Sequence, residues 1–127
     1  MIHNNIVTKT SLEANTHWLD YPVHPKDIIS GDPKCKLNII RTKGAVTPVH
    51  QAMILTIEPS TFRYRFENDE SWIVLQGRVT ITLEDGEVIN MQTGDVISIL
   101  GGRNSTWQVF EPFKKFVVIT AAKPNGT

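Results

Sequence analysis

The chain has 127 residues, 40% of them hydrophobic, and its thirteen basic residues cancel thirteen acidic ones. That length suits one domain whose core needs no staples, and the charge balance leaves no global field to recruit nucleic acid or anionic lipid. The single cysteine, Cys35, cannot form an intrachain disulfide, no signal-peptide pattern opens the chain, and no uncharged apolar run approaches transmembrane length; a cytoplasmic protein that recognises its ligands locally is expected.

Residues 1–35 are the least regular part. Polar residues are interspersed with Pro22, Pro25 and Pro33, which reads as an arm packed on the body. Ile6-Val7 suits a short strand, and Thr10 with Glu13 matches a capping box that supports at most one or two helical turns. His24-Pro25-Lys26-Asp27 suits another turn with Pro25 at its first position. Trp18, Tyr21, Ile28 and Ile29 are the expected anchors.

From Lys36 to residue 122 the chain reads as strand after strand, with 123–127 a tail. Leu37–Arg41 ends at Thr42-Lys43-Gly44; Val49–Ile57 follows, with Met53, Leu55 and Ile57 on one face. In Ser60–Phe66, Phe62, Tyr64 and Phe66 share one face and Arg63 and Arg65 the other. Glu67-Asn68-Asp69 makes a corner, and Glu70 opens an apolar strand that stops at Gly77. Arg78–Glu84 alternates again. Asp85-Gly86 suits a two-residue hairpin into Glu87–Met91. Gln92-Thr93-Gly94-Asp95 precedes Val96–Leu100, and Gly101-Gly102-Arg103-Asn104 precedes Ser105–Phe110. Lys115–Ala121 closes the sheet with an expected buried run, Phe116-Val117-Val118-Ile119. Nine or ten short strands at this spacing predict an antiparallel all-β sandwich or barrel.

Two stretches carry a family signal. Glu70, separated from Gly77 by six residues and lying behind an alternating strand, resembles the first sequence motif of the cupin superfamily. Gly94-Asp95 through Leu100-Gly101-Gly102, then Ser105-Thr106-Trp107, resembles the second. With Lys115-Phe116 added, these residues are similar to the cupin group related to (S)-ureidoglycine aminohydrolase and to ethanolamine-utilisation cupins, over roughly residues 31–121. The resemblance implies a double-stranded β-helix, the jelly-roll barrel, and a homodimer paired sheet to sheet, often with an exchanged N-terminal strand.

Metal-carrying cupins use two histidines ahead of the glutamate and a third after the second motif. Here the first pair falls on Tyr64 and Phe66, or in the other register on Arg63 and Arg65; aromatics suit a small barrel's interior, so the first register is preferred. Ser105 stands at the third position. One carboxylate and a serine hydroxyl do not make a transition-metal site, and His3, His17, His24 and His50 show no metal-ligand spacing, which leaves a site built from His50, Glu70 and an arm histidine as the open alternative. The expected site is therefore metal-free and without a cofactor, with Tyr64, Phe66, Glu70, Trp72, Ser105 and Trp107 around a small organic ligand.

Glu70 has two readings: a general acid or base whose proton affinity is raised by an apolar barrel, or a hydrogen-bond acceptor that fixes the strand corner. Trp72, Trp107 and Tyr64 read as ligand wall or as core filler, Arg63 and Arg65 as an anion clamp or an exposed strand face. Cys35 has no base beside it and reads as inert. Three functions follow: a metal-free ligand-binding barrel, which leads; an enzyme of the ureidoglycine-aminohydrolase type or another small-molecule lyase or isomerase; or a non-catalytic assembly module.

Overall fold

Period-two alternation, where one side of a strand must be apolar and the other need not be, is what the backbone turns into walls. The computed structural model describes residues 6–46 and 49–121. Among them eleven strands form, β1 (Trp18–Asp20), β2 (Ile28–Gly31), β3 (Lys36–Arg41), β4 (Val49–Ile57), β5 (Ser60–Phe66), β6 (Asp69–Gln76), β7 (Arg78–Leu83), β8 (Val88–Gln92), β9 (Val96–Ile99), β10 (Arg103–Val109) and β11 (Phe113–Ala121). They make a six-stranded sheet, β1-β3-β4-β11-β6-β9, and a five-stranded sheet, β2-β5-β10-β7-β8. Every pairing is antiparallel. The two inner faces enclose one core, and the architecture is the jelly-roll barrel expected of the sequence.

Trp107 is the hub of that core. It is buried and makes ring contacts with Phe62, Tyr64, Phe66, Trp72 and Phe113 at centroid distances of 5.5–6.3 Å. Such pairs add about 0.5–1.5 kcal/mol each beyond area burial. The inward series Phe62, Tyr64, Phe66 on β5 leaves Arg63 and Arg65 exposed.

The six-stranded sheet is buried on part of its outer face as well: Ala52, Ile54 and Asn38 are all buried there. Residues 6–17 cross this face, held by side chains of the body donating to arm carbonyls. Arg41 reaches Ile6 O at 3.1 Å, Lys114 reaches Leu12 O at 3.0 Å, and Asn38 reaches Thr16 O at 3.2 Å.

Several expectations for the arm change. Ile6 and Val7 are exposed and outside any strand; this first part of the arm is held by side chains such as Arg41, which donates to Ile6 O. The turn near the capping box is organised by Ser11, not Thr10: Ser11 Oγ accepts from Glu13 N and Ser11 O from Ala14 N. Pro25–Asp27 does form a turn, of 3-10 type, with His24 Nδ1 accepting from Lys26 N. The arm contributes β1 and β2 as sheet strands. Of the expected anchors, Tyr21 and Ile29 are exposed; Pro33 is fully buried and Val23 packs on the core instead.

The hairpin after β7 is one residue longer than expected. Only Gly86 has positive φ, +94°, and Leu83 N donates to Glu87 O, the pattern of a three-residue loop closed by a left-handed glycine.

Candidate functional site

In β11 the interior side chains are Phe113, Lys115 and Val117, each buried, while Phe116 and Val118 are half-buried on the opposite face. The expected run Phe116 to Ile119 is thus an alternation, and its inward series places a lysine inside the barrel. β11 lies between β4 and β6, with Val117 opposite Trp72 and Ile119 opposite Glu70. Lys115 reaches diagonally to Glu70, Nζ to Oε1 3.7 Å. On the facing sheet, Tyr64 donates its phenolic hydrogen to Glu70 Oε2. One carboxylate from β6, one phenol from β5 and one ammonium from β11 therefore meet inside the barrel, and both charged groups are at most 4% exposed.

Two indole faces complete the seat of the ammonium. Lys115 Nζ lies 4.2 Å from the Trp72 ring centroid and 4.7 Å from that of Trp107, within cation–π range. Burial still dominates: it lowers the Lys115 pKa to about 8 against the opposing pull of Glu70. Burial raises the Tyr64 phenol, and the charge of Glu70 raises it further, so Tyr64 keeps its proton and acts as a donor. Cys35, on the same wall, is pushed up to about 11 by burial, with Lys115 opposing. Its thiol stays protonated and unreactive.

These groups line a cavity of about 250 Å³. Most of the remaining lining is aliphatic, including Leu37, Met53, Leu55 and Ile119, and Tyr21, more than half exposed, stands at its rim. Of the ligand-site residues expected from sequence, Tyr64, Glu70 and Trp107 line this cavity. Phe66 is fully buried against Tyr64 and Trp107, and Trp72 stacks on Trp107 beneath the lysine. Ser105 is buried behind Tyr64, donating to Tyr64 O at 2.6 Å and accepting from Trp107 Nε1 at 3.2 Å.

Sequence reasoning misses Lys115 as a site residue. The signal was available: Lys114 and Lys115 are adjacent in a strand, so one of them must face inward.

The donor set does not fit a transition metal. Tyr64 and Phe66, the inward residues of β5 nearest Glu70, offer a phenol and a phenyl ring rather than imidazoles, Ser105 Oγ is committed to two neighbours, and an ammonium sits where a cation would meet Glu70. Among the described residues no three His, Cys, Asp or Glu side chains converge. His3 and the side chain of His50 lie outside the described residues, and His17 and His24 are exposed on the arm.

Comparison with known proteins places the fold. The model of the EutQ-like cupin domain matches residues 45–116. A DUF861 family protein from Thermotoga maritima is 30% identical over 53% of this chain and 76% of its own, with a TM-score of 0.52. A DUF861 protein of unknown function from Pseudomonas syringae superposes with a TM-score of 0.73 at 21% identity, over 84% of this chain and 45% of its own. The Clostridium difficile EutQ protein gives 0.62 at 19% identity, over 72% and 65%. No curated protein matches. A family model that spans more than half of the chain, on a barrel of matching topology, settles the family: the protein belongs to the EutQ-like cupin domain family.

Proposed function

We propose that the barrel binds a small, mostly apolar organic molecule without a transition metal, its polar end held by Glu70 and Lys115. The observation that carries this reading is the buried Tyr64–Glu70–Lys115 cluster inside a mostly apolar cavity. A purely structural barrel gains nothing from a buried ion pair, because well-packed apolar residues of similar volume serve as well or better. At about 250 Å³ the cavity falls just below the usual range of roughly 300–1,000 Å³ for ligand sites, which favours a short ligand. The carboxylate keeps lone pairs beyond those used by Tyr64 and Lys115, and the ammonium keeps N–H donors. A neutral group that both donates and accepts fits them best, since a charged one would unbalance the pair.

Titration with 1-butanol or butanamide tests the reading through tryptophan fluorescence, because Trp107 lines the cavity. Saturable binding is expected, weakened about tenfold in Glu70→Gln, the scale of one lost charge-assisted hydrogen bond. Metal analysis of the purified protein should find no stoichiometric transition metal. One metal per chain would overturn the metal-free reading, and failure of every such ligand to bind would favour the assembly module.

A further inference from the structure

Resting on that ligand-binding reading, we propose that Lys115 is a nucleophilic amine that captures a short aliphatic aldehyde in the barrel as a protonated imine, with Glu70 as its proton shuttle. Three features of the site point to it. A lysine used only as a counter-ion would need no access, whereas Lys115 lines the cavity. Burial away from water disfavours the charged amine more than Glu70 favours it, and its pKa falls to about 8, which is how desolvation activates lysine nucleophiles. The partner that takes the proton is already in place, with Glu70 Oε1 3.7 Å from Nζ.

The titratable groups facing Lys115 are Glu70 from β6, with Tyr64 of β5 behind it, and Cys35 just before β3. The Cys35 thiol, raised to about 11, does not compete as a nucleophile.

The step balances within the site. Lys115 passes a proton to Glu70, and the neutral amine attacks the carbonyl carbon. A C–N bond forms as the C=O π pair moves to oxygen, which takes a proton from Glu70. Glu70 then removes a proton from nitrogen and returns it to the hydroxyl, which leaves as water as the nitrogen lone pair forms the C=N bond. Ammonium and aldehyde become iminium and water, with no oxidant or reductant. The product is again a cation beside a carboxylate, so the buried charges the fold accommodates before the reaction are those it holds afterwards. Tyr64 remains protonated throughout and fixes the carboxylate.

The test uses the full chain with butanal and cyanoborohydride near neutral pH, followed by digestion and tandem mass spectrometry. Lys115 should acquire a butyl group on the order of tenfold faster than Lys114, its neighbour on the opposite face of the strand. Excess 1-butanol should suppress labelling at Lys115 and leave Lys114 unaffected, and Glu70→Gln should slow only Lys115. Lys115 labelled no faster than Lys114, or labelled without suppression by 1-butanol, overturns the imine. If 1-butanol binds while Lys115 stays unlabelled, the imine fails and the ligand-binding reading stands; if 1-butanol does not bind either, both fail.

Discussion

Taking an ammonium group out of water costs several kcal/mol even after the protein relaxes around it. Lys115 meets that cost with one carboxylate and two indole faces, and the residual deficit has a measurable sign. Its folded pKa, about 8, lies below the 10.5 of a lysine in water. Above about pH 8 the unfolded chain binds more protons at this group than the native one, so its contribution to stability rises with pH, by up to about 1.4 kcal/mol per unit. Cys35 and Tyr64 act oppositely. Both are raised in the fold, and their contributions fall once pH passes the unfolded values of 9.0 and 10.0. The clean window is therefore about pH 8 to 9. Urea denaturation should show the wild type gaining stability relative to Lys115→Met across that window; parallel curves would mean that Lys115 titrates like a surface lysine. This cluster was half legible in sequence. Glu70 and Tyr64 announce themselves, one as a carboxylate in an apolar strand and the other in an aromatic alternation. Lys115 does not, because its meaning depends on which of two adjacent lysines faces inward, and Phe116 and Val118 make the wrong face look like the core.

Strands were the more legible element, since β5, β7 and β10 carry a period-two pattern and turn residues mark the bounds of their neighbours. The turn at Gly77 shows why one residue there is not negotiable. Its φ is +90°, and a Cβ built on it would lie 2.4 Å from Pro112 O and 3.0 Å from Phe113 Cα, so the turn between β6 and β7 must pass directly under the start of β11. Gly77→Ala combines a left-handed conformation costing roughly 1–3 kcal/mol with a backbone collision. A loss of more than about 2 kcal/mol is expected, read as a lower urea midpoint with unchanged slope; a loss under half that would mean the turn relaxes. Gly86 has the same sign of φ and nothing within 4 Å of a built Cβ, so Gly86→Ala should cost less. The arm was the least legible element. β1 and β2 are too short to show periodicity, and the segment before them is held by Asn38, Arg41 and Lys114, three side chains whose partners lie 22 to 102 residues away.

At the scale of the whole molecule, the six-stranded sheet leaves part of its outer face to solvent. The arm contacts the face at β3 and at one end of β11, on the side away from β9. Across β6 and β9 the outward pairs are Ser71 with Ser98 and Ile73 with Val96; Phe116 and Val118 continue the patch onto β11, opposite Ile73 and Ser71. Val96 is 73% exposed. None of these six side chains is charged. A two-fold interface brings a patch against its own copy, so like charges must be absent or offset, and an uncharged strip with apolar centres meets that condition by itself. We propose a homodimer formed through this strip, the occupant being a second copy of the same chain. Light scattering at micromolar concentration should give the mass of two subunits. Val96→Asp would put a carboxylate into the strip on each subunit without touching the barrel interior, and should shift the mass toward one subunit while 1-butanol binding persists. A wild type that already elutes as one subunit would remove the dimer and leave the ligand-binding barrel untouched, because Tyr64, Glu70 and Lys115 meet within one chain.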